Sequence, residues 1–403
     1  MRQFKPARNG QYSDSIYYVA LMITSRDQQH PDMVILHNGL EMENKYIAVY
    51  RNSIRFRMAD PYSYSVFWKP LTPYLKGIKK IFISLDGIYN EISLNTLWNP
   101  ETGKYLLDEY DINLLTNTRD MLALKENKPV PSKGQVYLFG FPNYNMGLTK
   151  GEIDSRHNKK VTVEQKVDRG LGGMDRGLRG SLRGALRGGS LLQELPGTKT
   201  EVEKIDSVYK LDKQQPVLLT GNQAVEGAVK NVDEPRALHI ATHGFFLQDD
   251  DLPVSDEEDV YTQNPLLRSG LILAGVNNFL TRDASLDDLG GEDGILTAYE
   301  AMNLNLDHTD IVVLSACETG LGALKNGEGV YGLQRAFEIA GAKSLIMSLW
   351  SVDDDATQEL MSDFYTNWQK SGDKKEAFKA AQETVREKYK DPFFWGAFIL
   401  VGT

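Results

Sequence analysis

The chain has 403 residues and a single cysteine, and this scarcity excludes two common roles of the residue. An intramolecular disulfide needs two cysteines, and a cysteine-rich zinc site needs several. A lone cysteine is usually a small buried hydrophobic residue. Whether Cys317 has a chemical role therefore depends on its surroundings in the sequence.

The sequence also lacks long apolar runs and any excess of positive charge. No apolar run approaches the roughly 20 residues of a membrane span, and residues 1–12 are polar, without the apolar core of a signal peptide. The net charge of -10 argues against direct nucleic-acid binding. We therefore expect a cytoplasmic protein that contacts neither membrane nor nucleic acid.

Residues 146–190 have few large apolar side chains and are rich in glycine, arginine and lysine. Such a stretch cannot bury enough surface to offset the entropy of ordering it, so we expect an exposed, disordered loop. A solvated insertion without function is the alternative interpretation. Five Arg-Gly pairs recur in it without a helical or strand period, at Arg169, Arg176, Arg179, Arg183 and Arg187.

The rest of the chain alternates apolar strands with helices, which predicts an α/β fold with a parallel sheet covered on both faces. Strands are predicted at 17–23, 33–36, 80–85, 135–140, 216–219, 237–242, 270–274, 310–316, 344–350 and 394–401. Helices are predicted at 39–55, 198–209, 224–230, 295–302, 329–340, 356–370 and 374–388. Thr198 and Glu201 have the spacing of a capping box for the second of these helices.

Two chemically active residues stand at predicted strand ends, where ligands bind in open α/β sheets. His243 follows the 237–242 strand and Cys317 ends the 310–316 strand, with one helical crossover expected between them. Adjacent parallel strands would bring an imidazole next to a thiol, as a cysteine nucleophile requires. The backbone N–H groups of Gly244 and Cys317 could then form an oxyanion hole. Taken alone, Cys317 reads as a buried strand end and His243 as a structural histidine.

Several blocks of the sequence occur in the order of one protein family. HIATHG at 239–244 resembles the family's H-x-A-T-H-G motif, and SACETG at 315–320 resembles its S-A-C-E-T-G motif. Further blocks that resemble the family lie at 83–87, 195–198, 327–329, 340–342, 348–354 and 394–398. The sequence is thus similar to the CHAT family, relatives of caspases and separases, over about residues 66–403 and more weakly over 15–65.

The resemblance implies a caspase-like three-layer α/β/α sandwich with a mainly parallel sheet, plus an N-terminal α/β pseudo-caspase-like subdomain. It suggests a division into four parts. Residues 1–65 would be strands and a helix that pack on the core, and 66–145 the N-terminal part of the CHAT domain. Residues 146–190 would be the disordered loop and 191–403 the caspase-like catalytic part.

The resemblance also implies a function, a cysteine endopeptidase of protein substrates, with Cys317 as nucleophile and His243 as its proton-transfer partner. The family needs no third catalytic residue, and no cofactor is implied. A tetratricopeptide-repeat protein is an expected regulatory partner, and bacterial signalling or defence an expected setting. The alternative is a catalytically silent CHAT-fold interaction module, although retention of both His243 and Cys317 favours the enzyme.

Other chemistries fit the sequence less well. His239 precedes His243 by four residues, but the zinc-protease motif needs a helix and a glutamate where Ile240 stands, so no metal is expected and His239 is given a supporting role. No G-x-S-x-G element supports a serine hydrolase. The stretch 197–200 lacks the glycine spacing and the Gly-Lys pair of a phosphate-binding loop.

In caspase-like folds, which the sequence resembles, the loop after the strand that follows the catalytic cysteine helps to line the first specificity pocket. The acidic residues after the 344–350 strand therefore suggest a preference for arginine or lysine in the substrate. Carboxylates of Asp353 or Asp354 would pair with a basic side chain by charge-assisted bonds, and Glu318 is a further candidate. The alternative role is a helix N-cap, for which Asp355 is favoured. The same basic preference would make the five Arg-Gly sites of the 146–190 loop substrates for self-cleavage.

Overall fold

The computed structural model describes residues 1–6, 12–24, 30–122, 134–157, 191–247, 264–281, 292–316, 319–320, 323–325, 329–351 and 353–402. The chain divides into two compact units. Unit 1 comprises residues 1–128, 324–330 and 382–403, and unit 2 comprises 129–323 and 331–381.

The strands, in chain order, are β1 Arg2–Pro6, β2 Tyr12–Met22, β3 Asp32–Leu36, β4 Lys80–Ser84, β5 Trp98–Asn99, β6 Lys104–Tyr105, β7 Asp111–Leu115, β8 Val136–Pro142, β9 Val217–Gly221, β10 Ala237–Ala241, β11 Gly244–Phe246, β12 Ser269–Ile272, β13 Ile295–Thr297, β14 Ile311–Ser315, β15 Ala323–Lys325, β16 Gly329–Tyr331, β17 Ser344–Ser348 and β18 Phe398–Gly402.

The α-helices, in chain order, are α1 Gly39–Glu41, α2 Ile47–Phe56, α3 Leu106–Glu109, α4 Lys150–His157, α5 Pro196–Leu211, α6 Glu226–Lys230, α7 Val276–Thr281, α8 Ala298–Ala301, α9 Leu333–Ile339, α10 Asp354–Ser371, α11 Lys374–Tyr389 and α12 Pro392–Trp395. Short 3-10 or π turns lie at Met42–Tyr46, Tyr64–Trp68, Lys69–Tyr74, Gly87–Glu91, Leu94–Thr96 and Pro265–Leu267.

Unit 1 contains an antiparallel sheet and a group of parallel strands. The antiparallel sheet has the order β1-β2-β3. The parallel strands are β4, β7 and β18, with β7 in the middle. A short hairpin of β5 and β6 places Tyr105 against the rings of Trp98 and Trp395, at centroid distances of 4.9 and 5.1 Å. Edge-to-face aromatic pairs of this kind add to stability beyond the area that they bury.

Unit 2 is built on five parallel strands in the order β17-β14-β10-β8-β9. Numbered along the chain, this is a 2-1-3-4-5 arrangement, whose direction of winding reverses between β8 and β10. Ligands of such sheets bind beyond the carboxyl ends of the strands, next to this switch point. The fold therefore directs attention to the residues that follow β8, β10 and β14.

The parallel strands of unit 2 are apolar because both faces of the sheet are covered. Every residue of β10, β14 and β17 is buried, as expected for strands packed on both sides. Helix α5 packs against β8, β9 and β10 and also against α10. Gly140 allows α5 to approach closely, because a Cβ there would lie 2.8 Å from a methyl group of Val202. The predicted α/β fold with a mainly parallel, covered sheet is confirmed.

Several predicted element boundaries were wrong. Residues Ile295–Thr297 form strand β13 and not a helix, because they pair with β12. Helix α8 begins only after Thr297, its N-cap, which forms a capping box with Glu300. The helix predicted at 329–340 begins at Leu333. Phe394 and Trp395 end α12, which Asp391 caps and Pro392 begins, so the last strand starts at Phe398.

The connection between β10 and β14 also differs from the prediction of one helical crossover. The antiparallel sheet β11-β12-β13 and the helices α7 and α8 lie between them in the chain. Helix α5 starts at Pro196 with Leu195 as N-cap, so the predicted capping box of Thr198 and Glu201 is wrong. Thr198 instead donates its hydroxyl to Leu195 O, and its oxygen accepts the N–H of Phe141.

Candidate active site

Strands β10 and β14 are parallel neighbours in register, which aligns the two motif segments. Ala241 is paired with Ser315, and one residue further the N–H of Thr242 donates to Ser315 O at 3.2 Å. His243 is the second residue after Ala241, and Cys317 is the second residue after Ser315 in the sequence. The predicted adjacency of the two strands is confirmed. Cys317 itself and Glu318 lie outside the described residues.

The described residues on either side of position 317 are attached to the end of β17. The carbonyl of Ala316 accepts the hydroxyl of Ser348, and the N–H of Gly320 donates to Ser348 O at 2.8 Å. The hydroxyl of Thr319 donates to the carbonyl of Leu314 at 3.3 Å. A Cβ at Gly320 would lie 3.0 Å from Ser348 O, a tight contact, so glycine favours the close approach of the two backbones.

His243 is held at the end of β10 by the tyrosine that follows β8. The rings of His243 and Tyr144 are 5.5 Å apart. The Tyr144 hydroxyl lies 2.9 Å from Thr242 Oγ1 and accepts the N–H of His243 at 3.4 Å. Tyr144 is fully buried, so it provides a rigid wall next to the imidazole.

The imidazole of His243 has a backbone partner on its Nε2 atom. Nε2 lies 3.2 Å from the carbonyl oxygen of Gln193. Because a carbonyl can only accept, this contact requires the ring proton on Nε2 and leaves Nδ1 as the basic nitrogen. Burial lowers the pKa of His243 below its ordinary value, whereas the Gln193 carbonyl and the charge of Asp354 oppose this effect. The neutral, basic form is therefore favoured.

His239 has a supporting role in the core, as its strand position suggested. Its Nδ1 lies 3.2 Å from the Tyr365 hydroxyl, and its Nε2 lies 3.0 Å from Glu201 Oε1. The other carboxylate oxygen of Glu201 accepts the hydroxyl of Ser315 at 3.0 Å. All four side chains are buried. This network joins α5 and α10 to the two strands that lead to His243 and Cys317.

The acidic residues predicted to line a specificity pocket have different positions at the start of α10. Asp353 is the N-cap, and its carboxylate accepts the N–H of Ala356 at 3.0 Å. The expectation that Asp355 is the cap is wrong, because Asp355 lies inside the first turn. Asp354 is exposed. A Cβ at Gly197 would lie 2.6 Å from Asp354 Oδ2, so this carboxylate lies directly beside the first turn of α5 and would have to move if residue 197 carried a side chain.

Asp354 lies among other acidic groups. Although its side chain is exposed, partial desolvation, and then the charges of Asp353, Glu201 and Asp355, raise its pKa above the ordinary value. The charge of His243 acts in the opposite direction. A nearby positive group would stabilise the ionised form.

Of the remaining predicted site residues, the structure describes Gly244 but not the five arginines. Gly244 begins β11 directly after His243 and is partly exposed. The arginines at 169, 176, 179, 183 and 187 lie outside the described residues. The acidic stretch 249–259, whose opposite charge is predicted to hold the arginine-rich loop near the site, lies outside them as well. Within the described part of the chain, no group of three His, Cys, Asp or Glu residues could hold a metal ion. Among those same residues, no helix is long and apolar enough to cross a membrane.

Sequence reasoning missed three residues that contact the site. Gln193 contributes only a carbonyl, which carries no side-chain signal. Tyr144 follows an apolar strand at a distance of 99 residues from His243. Glu201 was assigned to a helix cap, yet its position in the helix after a Pro-Gly start also fits a buried face. In each case the partner lies far away in the sequence and no local period relates the two residues.

The chain is similar to one protein family and to two curated proteins. The CHAT domain family matches residues 64–403. Tetratricopeptide repeat protein 28 of Mus musculus is 30% identical over 113 residues, and the same-named protein of Homo sapiens is 30% identical over 111 residues. Each match covers 27% of this chain and 4% of the relative. The chain therefore spans only a small part of the length of these relatives.

Proposed function

The chain belongs to the CHAT family of caspase-like, peptidase-related domains, and from this premise we propose that it is a cysteine endopeptidase. Cys317 is the nucleophile and His243 the proton-transfer partner. The observation that supports this assignment most directly is the paired register of β10 and β14, with the bond from Thr242 N–H to Ser315 O at 3.2 Å. Both reactive residues follow this pairing at the same spacing.

The environment of His243 fits the proton transfers of this reaction. With Nε2–H bonded to Gln193 O, Nδ1 takes the thiol proton of Cys317, and the thiolate attacks the scissile carbonyl. The imidazolium then gives the proton to the leaving amine, and water hydrolyses the thioester. The N–H groups of Gly244 and Cys317 stabilise the oxyanion in this proposal.

We further propose that the substrate is a protein cut after arginine or lysine. Asp354 is the best-placed acidic residue, because its carboxylate is exposed beside Gly197, whereas Asp353 is engaged as a cap. Glu318 is the additional acidic candidate. The negative charge of Asp354 also acts to raise the pKa of His243. This effect supports a location of Asp354 near the reacting groups.

The proposed setting is a cytoplasmic, bacterial signalling or defence pathway with a regulatory protein partner. The similarity to tetratricopeptide repeat protein 28 supports a tetratricopeptide-repeat partner. In the proposed division of the chain, residues 1–65 pack on the core, and the CHAT domain extends over 66–145 and 191–403. The intervening 146–190 is the proposed site of self-cleavage.

The test is hydrolysis of fluorogenic Arg and Lys peptides by the purified protein, compared with Cys317→Ala and His243→Ala. Each variant should lose activity by a factor on the order of 10³ or more while retaining its far-ultraviolet circular dichroism and unfolding midpoint. Activity that survives in Cys317→Ala would refute the mechanism. A wild type that cleaves no peptide or protein would favour the catalytically silent interaction module.

A further inference from the structure

The side chain of Asn277, in helix α7, is fully buried and bonds to two other segments. Its Oδ1 accepts the N–H of Leu192 at 2.9 Å. Its Nδ2 donates to Leu192 O at 3.0 Å and to Asn145 Oδ1 at 2.8 Å. A buried amide is costly unless its polar atoms are bonded, so these contacts define one position of the side chain.

The two bonds to Leu192 orient the residues around it, which we call the strap (residues 191–194). The Asn277 amide pairs with both the N–H and the carbonyl of Leu192, as a neighbouring β-strand would. The Leu192 side chain also packs against an apolar cluster that contains Tyr144. The next carbonyl along the strap belongs to Gln193, and this is the oxygen that lies 3.2 Å from His243 Nε2.

Asn277 also connects the strap to the turn that carries Tyr144. Its N–H donates to Tyr144 O at 3.0 Å, in addition to the side-chain bond to Asn145. Tyr144 in turn contacts the ring and the N–H of His243. Asn277 therefore links both groups that hold the His243 imidazole, although it does not touch His243 itself.

We propose that Asn277 is a positioning residue for the His243–Cys317 dyad. It holds the strap so that the Gln193 carbonyl retains the ring proton on Nε2, which leaves Nδ1 free to accept the proton of Cys317. The resulting thiolate is stabilised by the imidazolium, whose Nε2–H stays on the carbonyl. The catalytic meaning of this inference rests on the proposed function, but its effect on the thiol can be measured without a substrate.

The test variant is Asn277→Asp, which preserves the size of the side chain and one acceptor oxygen for Leu192 N–H. The Nδ2 donor becomes a carboxylate oxygen that faces two acceptors, Leu192 O and Asn145 Oδ1, and repels both. The matched control is Asn231→Asp, the same chemical change at an exposed position whose side chain has no part in the three bonds described above.

The readout is the rate of alkylation by iodoacetamide at pH 6 and pH 9.5. Because Cys317 is the single cysteine of the chain, the whole signal reports its thiolate. A free thiol is mostly protonated at pH 6, so alkylation there depends on the imidazole, whereas at pH 9.5 the thiolate forms without assistance. We expect Asn277→Asp to lower the pH 6 rate on the order of tenfold or more. The pH 9.5 rate should stay within about twofold, and Asn231→Asp should resemble wild type at both pH values.

A second variant protects the test against simple misfolding of Asn277→Asp. Asn145→Ala removes one partner of Asn277 but leaves the two strap bonds. We therefore expect the alkylation rate at pH 6 to fall less than in Asn277→Asp, and the rate at pH 9.5 to stay unchanged. Equal pH 6 rates in wild type and in both folded variants would overturn the inference, as would parallel losses at both pH values. A wild type without enhanced reactivity at pH 6 would overturn it together with the dyad. Failure of the wild type to cleave peptides, with the pH 6 loss intact, would refute only the peptidase.

Discussion

Glu201 and Ser315 are joined by a buried hydrogen bond of 3.0 Å between Oε2 and Oγ, although 114 residues separate them in the chain. Glu201 extends from α5 to the last residue of β14, two positions before Cys317. The same carboxylate reaches His239 on β10. One buried acidic group thus links both strands that carry the proposed dyad.

The first prediction concerns the stability that this bond contributes. Ser315→Ala should lower the free energy of unfolding by about 1–3 kcal/mol, because a buried carboxylate oxygen loses its hydroxyl partner. Urea denaturation followed by circular dichroism measures the change. The control is Ser207→Ala, on the exposed side of α5, the helix that carries Glu201. A change below about 0.5 kcal/mol is expected for it. Equal effects of the two substitutions would contradict the importance of the buried bond.

The second prediction separates the two aspartates at the start of α10. Asp354→Asn should reduce kcat/KM for an Arg peptide about tenfold relative to a norleucine peptide, the equivalent of one charge-assisted hydrogen bond. Asp353→Asn removes the same charge one position earlier but preserves a good N-cap. In Asp353→Asn, the ratio of kcat/KM for the Arg peptide to that for the norleucine peptide should change by less than about twofold. An unchanged ratio in Asp354→Asn would remove this residue from the specificity pocket.

The third prediction is a pH dependence of stability that originates in Asp293. Burial, and then the neighbouring carboxylate of Glu226, raise the pKa of the Asp293 carboxyl. Between the ordinary value near 4 and the raised value, the folded state binds more protons than the unfolded state. Stability from this group is therefore complete below about pH 4 and is lost as pH rises through the folded-state pKa.

Asp293→Asn cannot ionise, and its Oδ1 can still accept the Ile295 N–H that Asp293 accepts at 2.8 Å. Its free energy of unfolding relative to wild type should therefore increase from pH 5 to pH 8. Urea titrations at pH 5, 6.5 and 8 measure the difference, with Asp212→Asn as the control for removal of an exposed carboxylate. A difference that is independent of pH, or that increases towards acid, would disprove the assignment.

The fourth prediction concerns self-cleavage in the 146–190 segment. Wild type should produce cuts after one or more of its five Arg-Gly arginines, and Cys317→Ala should produce none, because the reaction needs the thiolate. Fragments from parallel incubations are mapped by mass spectrometry. Added salt should slow the reaction if the acidic stretch 249–259 attracts the segment. Identical nicking of both proteins would point to a contaminating protease.

The sequence by itself determined the class of fold and singled out the two residues of the proposed dyad. Mainly apolar runs such as 237–241 and 311–315 form parallel strands in which every residue is buried, because both faces of the sheet are covered. The motifs around His243 and Cys317 indicated the family, which the match over residues 64–403 shows. The boundaries at 65, 145 and 190 and the roles of the arginines stay predictions.

The sequence did not determine the secondary structure of short apolar stretches. The three residues Ile295–Thr297 suit a strand or the start of a helix equally, and only pairing with β12 makes them a strand. The sequence was equally unable to decide which of Asp353, Asp354 and Asp355 is the N-cap of α10. Each has the right side chain, but only one has the extended backbone from which its carboxylate reaches a free N–H of the first turn.

The support of the imidazole was decided by the tertiary structure alone. Gln193 acts through its backbone carbonyl, and Asn277 acts on a strap that lies 85 residues earlier in the chain. A hydrogen bond between such positions forms only when the packed sheet brings them within about 3 Å, since no local period or propensity relates them. The sequence can therefore name the reactive groups, whereas the folded chain determines which nitrogen of His243 is basic.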